Sequence, residues 1–569
     1  MPEVQISARE WRWVAIFALS VMALTCVPYL VGAAAAGHGW TFSGFVFGAE
    51  DGYSYLAKMR LGARGEWLFT IRYTDEPHSA AFFFAPYLLL GKIAALFAEP
   101  SSPRLFAALI VTFHAARVAA GALLLGVIYR FAAHFLRDVR ARRTALALIA
   151  LGGGLGWLLT LLGRSEWLGS LPLDFYVPEA YTFLILYGLP HLALARVALL
   201  LGLLLMLGAL GAERWLKRAL GAGVAWAVMG LCVPFYVAVL YVLLGAWGLV
   251  SWARWRRFPR RLAQRAGVAA LVPLPYLGYT AWMFWHDEVL AGWSAQNLLP
   301  APHPLHYAAG YGVWLVFALI AVPRFWRAGG EGHLLLVAWL ALLPIVYLPL
   351  NVQRRLGEGV IVALGVLAVA GAAGGNVAPA GDGGRAARGE QSSPPTRGKA
   401  ARGAPKGARR RAPSRRAFAV LLALTLPTSA LLLFGGALSA ARPQRPLFWP
   451  TAELRALDAL NALAPPDAVV LSLKPSGAVI PARSDLIAYI GHGPETLYSA
   501  QKAAQAERFF ADTLPADERR AVLARVDYIF YGELERALSP DPSAPPWAEG
   551  MRVVVRSPAV TVYEVRHAD

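Results

Sequence analysis

The chain has 569 residues, of which 57% are hydrophobic and 16% charged, and its mean hydropathy is +0.48. A soluble globular chain is nearer a quarter charged, so this composition excludes an ordinary soluble protein and indicates an integral membrane protein. The formal net charge of +19 is not accompanied by a nucleic-acid recognition module, so we expect no nucleic-acid partner. Both cysteines, Cys26 and Cys232, fall inside apolar stretches, and we expect no structural disulfide.

The apolar stretches come in blocks of roughly 17–25 residues, which is the length that crosses a hydrocarbon core of about 30 Å. The sequence therefore predicts an α-helical polytopic membrane protein with about eleven transmembrane helices. A cleaved signal peptide is the alternative for the first block, and either interpretation places the following loop outside. The predicted spans are 13–36, 105–135, 144–162, 191–211, 220–233, 235–252, 268–285, 307–322, 333–348, 360–373 and 417–438.

The positions of Lys and Arg predict the orientation of these spans. Basic residues gather at 137–143, 214–218, 254–265 and 324–327, in every second loop. All four clusters face the cytoplasm if the N-terminus is cytoplasmic and the stretch 81–97 does not cross the membrane. Pro86 and Lys92 interrupt that stretch, so we expect it to lie along the outer surface or to re-enter.

The chain divides into four predicted parts. Residues 1–375 form a transmembrane domain with a long first outer loop at 37–80. Residues 376–416 hold eleven basic and two acidic residues and little that could be buried, which predicts a disordered basic cytoplasmic linker facing anionic lipid headgroups. The last span, 417–438, precedes a soluble extracytoplasmic domain at 442–569. Helical and strand patterns alternate there, which predicts a small α/β sheet, and no Gly-rich phosphate loop supports nucleotide binding.

The first outer loop carries adjacent acids, Glu50 and Asp51, followed by Tyr53. Paired acids beside a membrane can accept a proton from a substrate hydroxyl or hold a divalent cation. The alternative is a solvated loop with ordinary charges.

Two further loops carry polar residues at the bilayer edge, where burying them is costly. Glu179 lies in one, and His191 begins the next span; this histidine has the alternative of capping a helix or bonding a backbone carbonyl. Arg354 and Arg355 lie on the predicted outer side, against the positive-inside trend. A guanidinium fork suits a phosphate or carboxylate, so we expect an anionic lipid headgroup there, with pairing to Glu358 or another nearby acid as the alternative.

A third candidate stretch lies in the predicted outer domain and contains His492, Glu495 and Thr496. It follows a predicted strand and opens a predicted helix, where an anion or a sugar hydroxyl can bind. The alternative is that Thr496 is a plain N-cap of that helix.

The order of these features resembles the GT-C class of membrane glycosyltransferases, which includes the protein mannosyltransferases and the aminoarabinose transferases. The layout extends over nearly the whole chain: an inside N-terminus, an acidic first outer loop, a surface helix containing Pro and an outer C-terminal domain. The chain also looks like a bacterial subgroup with three short motifs, which read here Pro178-Glu179-Ala180 with Pro190-His191, Gln353-Arg354-Arg355 with Gly359, and Gly491-His492 with Glu495-Thr496.

The resemblance implies a protein of the bacterial cytoplasmic membrane that moves a sugar from a polyprenyl-phosphate carrier to an acceptor hydroxyl, with inversion, on the outer face. The acceptor can be a glycan, a lipid or a protein. Asp51 would be the general base, with Glu50 as the runner-up, and Arg354 or Arg355 would hold the departing phosphate. Glu179 and His191 would complete the cavity wall, and a divalent cation is left open as the cofactor.

Two other function classes stay open at this point. A lipid or solute transporter would show internal repeats and broken helices at matching positions of two halves. A non-catalytic membrane scaffold with an outer binding domain would be chemically indifferent to the loss of Asp51.

Overall fold

The computed structural model describes residues 5–373 and 415–566. Of the predicted basic linker, only residues 415 and 416 are described, at the start of a helix; the rest of it lies outside the described residues. The helices before the C-terminal region are α1 (Ala8–Ala35), α2 (Ala49–Ala63), α3 (Ala85–Ala95), α4 (Leu105–Phe135), α5 (Val139–Leu151), α6 (Gly156–Leu161), α7 (Leu173–Tyr176), α8 (Thr182–Gly188), α9 (Pro190–Leu210), α10 (Trp215–Cys232), α11 (Tyr236–Trp255), α12 (Arg260–Leu271), α13 (Leu274–His286), α14 (Glu288–Gln296), α15 (Pro304–Ala328), α16 (Glu331–Ala341), α17 (Val360–Ala372), α18 (Arg415–Thr425) and α19 (Pro427–Ala440).

The described residues contain six helices that are long and apolar enough to cross a membrane. They are α1, α4, α9, α11, α15 and the run Arg416–Ala440; the pair α12 and α13, bent by 54°, makes up to seven. The chain is thus a multi-pass membrane protein, but the prediction of about eleven spans is not confirmed.

Several predicted spans are shorter or broken for local reasons. The predicted span 144–162 ends as helix α5 at Leu151, since Gly152-Gly153-Gly154 follows and glycine disfavours a helix interior. Beyond the break, the buried carboxylate of Asp174 accepts the backbone N–H groups of Gly154 and Gly156. The predicted span 333–348 becomes α16 and then a 3₁₀ turn, Leu343–Tyr347, where Pro344 lacks an N–H for the helix. Helix α17 has 13 residues, about 20 Å, which is short of the hydrocarbon thickness.

Helix α3 occupies the stretch that we expected not to cross. Its 11 residues extend for about 16 Å, too short for a bilayer. It packs directly on α2, where the backbones approach so closely that a Cβ on Gly91 would lie 1.7 Å from the carbonyl oxygen of Met59.

The C-terminal region, residues 442–566, contains a five-stranded sheet of order β4-β3-β5-β7-β6. Strands β3, β4 and β5 are parallel, and β5, β7 and β6 pair antiparallel. The strands are β3 (Val469–Leu471), β4 (Ile487–Ala488), β5 (Tyr528–Tyr531), β6 (Arg552–Arg556) and β7 (Thr561–Glu564), and the helices are α20 (Thr451–Leu463), α21 (Lys474–Arg483), α22 (Ser499–Phe510), α23 (Ala516–Leu523) and α24 (Glu533–Arg536).

The first loop and the C-terminal region form one packed unit. Strand β1 (Trp40–Phe42) pairs antiparallel with β2 (Phe448–Pro450), and one hydrophobic cluster contains residues from α2, α3, α20 and α21. The guanidinium of Arg60 lies 2.8 Å from Asp485, and Lys502 is buried between Asp75 and Glu76. Helix α2 is therefore held between the membrane helices and the C-terminal region.

Candidate functional site

Helix α2 brings four polar side chains to one face. Asp51, Ser54, Tyr55 and Lys58 follow the spacing i, i+3, i+4, i+7, which places them in one row along a helix. The helix begins after Gly48, whose φ of 60° is left-handed and suits glycine, so Asp51 lies in the first turn. Its side chain is 57% exposed.

The carboxylate of Asp51 contacts a histidine that is more than four hundred residues away in sequence. The Oδ1 atom of Asp51 lies 3.2 Å from Nε2 of His492, which is nearly buried. Desolvation raises the pKa of Asp51, but the hydrogen bond and charge of His492 and the charges of Arg355 and Lys58 together hold that pKa below its ordinary value. Asp51 is therefore an ionised carboxylate that is open on one side.

The other ring nitrogen of His492 faces the buried ion pair of Lys58 and Glu495. Its Nδ1 atom lies 3.9 Å from Oε1 of Glu495, beyond hydrogen-bond distance. The same oxygen accepts hydrogen bonds from Lys58 Nζ at 2.5 Å and from Ser54 Oγ at 2.6 Å. Burial raises the pKa of Glu495, and the charges of Lys58 and His492 and these hydrogen bonds outweigh it, so the pKa is lowered.

Glu50 is occupied by other partners. Its Oε1 atom accepts the backbone N–H of Gly493 at 2.9 Å and lies 3.2 Å from Nζ of Lys474. Between the two adjacent acids, Asp51 is thus the one whose carboxylate is not paired with a lysine.

A second group of charges is formed by Arg354 and Arg355, on the 3₁₀ helix Gln353–Gly357, and by Glu179, between α7 and α8. Arg355 Nε lies 3.4 Å from Oε1 of Glu179; the arginine is 36% exposed, and the glutamate is buried. Arg354 stacks its guanidinium over Tyr176 at 5.1 Å, a cation–π contact. The alternative of pairing with a nearby acid is found for Arg355, whose partner is Glu179. Pairing with Glu358 is not found, because Glu358 pairs with another residue.

That residue is Arg196 of helix α9. Its Nε and Nη2 atoms donate to the two oxygens of Glu358 at 2.6 and 2.8 Å, and both side chains are buried. Arg196 Nη2 also donates to the backbone oxygen of Glu179 at 2.9 Å. The buried pair therefore fixes the segment that carries the partner of Arg355.

An aromatic wall lies between these two groups of charges. The phenol oxygen of Tyr87 lies 2.6 Å from Nδ1 of His191, and the rings of Tyr55 and Tyr87 stack at 4.6 Å. The charges of Asp51 and Arg355 both act on the His191 ring. Asp51, His191 and Arg355 therefore belong to one electrostatic neighbourhood.

Two residues that the sequence analysis singled out, Tyr53 and Thr496, contact residues other than Asp51 in the structure. Tyr53 is buried against Phe45 with centroids 6.4 Å apart, on the face of α2 that turns away from Asp51. Thr496 does not cap the predicted helix: α22 begins at Ser499, and Thr496 Oγ1 instead accepts the backbone N–H of Gly491. The threonine thus shapes the turn that carries His492.

Sequence reasoning missed Ser54, Lys58 and Lys474. The i, i+3, i+7 spacing from Asp51 was the available signal for the first two, since it places them on the same face of one helix. Lys474 carries no local signal, because only the fold brings its ammonium to Glu50.

The residues near Asp51 were also candidates for holding a divalent cation. Among residues 5–373 and 415–566, no group of three or more His, Cys, Asp or Glu side chains lies close enough together to hold a metal ion.

No family model matches the chain. A curated relative, undecaprenyl phosphate-alpha-4-amino-4-deoxy-L-arabinose arabinosyl transferase 2 of Pseudomonas fluorescens, is 42% identical over 72 residues, which cover 10% of this chain and 12% of the relative.

Two solved structures are similar over nearly the whole chain. The archaeal oligosaccharyltransferase AglB of Archaeoglobus fulgidus, in complex with an inhibitory peptide and a dolichol-phosphate, aligns with a TM-score of 0.51 at 14% identity, covering 97% of this chain and 74% of that one. ArnT of Cupriavidus metallidurans bound to undecaprenyl phosphate aligns with a TM-score of 0.44 at 14% identity, covering 98% of both chains. The resemblance to the GT-C membrane glycosyltransferases is confirmed at the level of the fold, by the similarity to AglB.

Proposed function

We propose that this protein is a membrane glycosyltransferase that moves a sugar from a polyprenyl-phosphate donor to an acceptor hydroxyl, with inversion at the anomeric carbon. What supports the proposal most is one arrangement: the open carboxylate of Asp51 and the exposed guanidinium of Arg355 lie in one neighbourhood. A base and an anion holder are the two groups that such a transfer needs. The GT-C fold and the short match to an arabinosyl transferase support the same class.

In the proposed reaction, Asp51 accepts the proton of the acceptor hydroxyl as its oxygen attacks the anomeric carbon. The bond from that carbon to the phosphate oxygen breaks, and the electron pair leaves with the polyprenyl phosphate. Arg355 holds the developing phosphate charge, and its side chain, 36% exposed beside the buried Glu179, leaves room for that contact. The aromatic wall of Tyr55 and Tyr87 offers a face on which a sugar ring can pack.

The proposal includes a location. Asp51 and the C-terminal region share one side of the membrane helices, because His492 contacts Asp51. With the basic clusters in the cytoplasm, this side is the outer face of a bacterial cytoplasmic membrane. The polyprenyl chain of the donor would stay in the bilayer, and the acceptor (glycan, lipid or protein) would enter from the aqueous side.

The test is transfer from radiolabelled polyprenyl-phosphate sugars by the purified protein in liposomes. Asp51→Asn keeps the shape and removes the base, so we expect turnover to fall by about 10²–10⁴-fold. The matched control is Glu50→Gln, which removes a half-exposed, lysine-paired acid and should cost less than about tenfold. Unchanged turnover in Asp51→Asn together with a large loss in Glu50→Gln would move the base to Glu50, and a product with retained anomeric configuration would refute inversion.

A second pair of variants tests the donor side. Arg355→Ala should raise KM for the donor, whereas Arg354→Ala removes a guanidinium stacked on Tyr176 and should change KM less. Turnover that is absent with every polyprenyl-phosphate donor would count against the transferase proposal as a whole.

A further inference from the structure

The residues around Asp51 include the acidic side chains that a metal site needs, but their donor atoms do not point toward one common position. This deepens the proposed function and rests on it: the question is what supplies positive charge beside the base. We propose that Lys58, together with Arg355, supplies that charge, and that the centre works without a divalent cation.

The donor geometry does not fit a divalent cation. The two acids beside His492 lie at opposite ring nitrogens, with Asp51 at Nε2 and Glu495 at Nδ1. The lone pairs of these nitrogens point apart, so one ion cannot take both carboxylates and the imidazole together. Mg²⁺ demands near-octahedral oxygen ligands at about 2.0–2.1 Å, and Zn²⁺ takes four converging ligands at about 2.0–2.3 Å.

The remaining acids are already satisfied by cations of the chain. Glu495 accepts Lys58 and Ser54, and Glu50 accepts the Gly493 N–H and lies beside Lys474. A metal ion would have to displace a buried ammonium and a hydroxyl before it could use the Oε1 atom of Glu495. Within the described ranges 5–373 and 415–566 no alternative cluster of three ligands exists.

Lys58 is built as a fixed positive charge. Its side chain is 1% exposed, and its Nζ atom donates to Ser54 Oγ and to Glu495 Oε1, each at 2.5 Å. The ammonium also lies 4.4 Å from the centroid of Phe84, a cation–π contact.

The charge of Lys58 acts on the base itself. Lys58 lies two helical turns from Asp51 on the same face of α2, and its field helps to hold the pKa of Asp51 below its ordinary value. His492 and Arg355 also lower the pKa of Asp51, and the titratable side chains on which the Asp51 charge acts include Tyr55, Tyr87 and His191. Lys58 does not touch the reacting atoms in this arrangement, so it is a positioning residue that keeps the base ionised and Glu495 in place.

The first experiment measures cation binding and needs no donor. Mn²⁺ is titrated into the purified full-length protein in detergent and followed by electron paramagnetic resonance, with Asp51→Asn as the reference. We expect the same weak, unsaturated binding in both proteins, and turnover that survives treatment with EDTA. One Mn²⁺ bound per chain in the wild type and lost in Asp51→Asn would overturn the inference.

The second experiment measures the role of Lys58. We expect Lys58→Met to lower kcat by about 100-fold, because Glu495 and His492 lose a partner that positions them beside the base. The acid limb of the kcat–pH profile should move to higher pH, and neither effect should disappear when Mn²⁺ is added. Lys58→Arg keeps the charge and should keep the position of the acid limb. The matched control is Lys92→Met, which removes another lysine with a cation–π contact, to Trp67 at 4.3 Å, away from Asp51.

The outcomes separate the two proposals. If Lys58→Met has an unchanged acid limb, Lys58 carries only a structural role and this inference fails, whatever the transferase activity. If Lys58→Met does not fold, the Lys58→Arg profile and the Mn²⁺ titration of the wild type decide. Absence of turnover with every donor would overturn the proposed function, and the cation titration would still decide whether a divalent ion binds beside Asp51.

Discussion

The buried pair of Arg196 and Glu358 holds the segment that carries Glu179, the partner of Arg355. Variants of this pair test how strongly that part of the site is stabilised. Two parallel hydrogen bonds of 2.6 and 2.8 Å join side chains that are 0% and 2% exposed. Removing one partner of such a pair leaves the other charge buried and uncompensated, which costs about 3–5 kcal/mol. The pair itself need not be stabilising relative to apolar side chains of similar volume.

The other hydrogen-bond partners of Arg196 limit the loss of unfolding free energy that we expect when Glu358 is replaced. Thr182 Oγ1 and the backbone oxygen of Glu179 accept two further hydrogen bonds from the guanidinium, at 3.2 and 2.9 Å. In Glu358→Gln an amide oxygen can still accept one bond, so the loss falls at the lower end, about 3 kcal/mol. In Glu358→Ala nothing replaces the carboxylate, and the loss approaches about 5 kcal/mol.

The free energy of unfolding is measured by SDS titration in mixed micelles. The matched control is Glu564→Gln, which breaks a pair with Arg552 at 3.3 Å in which the arginine is 64% exposed; we expect a loss below about 1 kcal/mol. The double variant Arg196→Met/Glu358→Leu should recover most of the stability lost in Glu358→Gln. A Glu358→Gln variant no less stable than Glu564→Gln, or a double variant worse than the single one, would refute this reasoning about the buried charge.

Two other expectations concern α2. Gly91→Ala places a Cβ 1.7 Å from the carbonyl oxygen of Met59, which should force α3 away from α2 and lower the thermal unfolding temperature. The control is Gly245→Ala, whose added Cβ has no atom within 4 Å and should leave that temperature unchanged. Equal unfolding temperatures of the two variants would contradict the close crossing of α2 and α3. The pKa of Glu495 is lowered in the folded state, so the stability that its carboxylate contributes is present above its ordinary pKa and is lost as pH falls through the folded value. The decrease in the free energy of unfolding at acid pH should therefore be smaller in Glu495→Gln than in the wild type. An unchanged pH dependence would contradict the ion pair with Lys58.

The long apolar spans could be predicted from the sequence because their pattern is local. The predicted spans 13–36, 105–135 and 191–211 correspond to helices Ala8–Ala35, Leu105–Phe135 and Pro190–Leu210. In each case the run has a high mean hydropathy and few charged residues over a length that crosses a bilayer, even where Arg117 or Arg196 interrupts it. The break after Leu151 has a local signal in Gly152-Gly153-Gly154, which the span prediction did not use. The contacts of Asp174 with the backbone beyond the break, by contrast, form only in the folded chain.

The site could be predicted in pieces but not as an assembly. Asp51 and His492 each stood out from their own surroundings, yet a contact between residues 441 positions apart leaves no trace in either local pattern. Lys58 was missed for a different reason: a lysine on a short polar helix is usually a solvated charge. Only its burial between Ser54 and Glu495 gives it a role.

The two halves of the site depend on different parts of the fold. The base half consists of Asp51 on α2 and His492 on a turn of the C-terminal region, and α2 is tied to that region by Arg60 and Asp485. The guanidinium half is held instead by an ion pair inside the helical bundle. His492 contacts Asp51 directly, whereas the C-terminal region reaches the segment of Arg355 through Gln296, which donates to the carbonyl groups of Pro494 and Thr496, and through Leu299, which accepts from the backbone N–H of Arg354. A small displacement of the C-terminal region would therefore change the contact of His492 with Asp51 first. Because a misplacement of about 1 Å can cost about 100-fold in rate, loosening that region should lower kcat while binding of the polyprenyl phosphate persists.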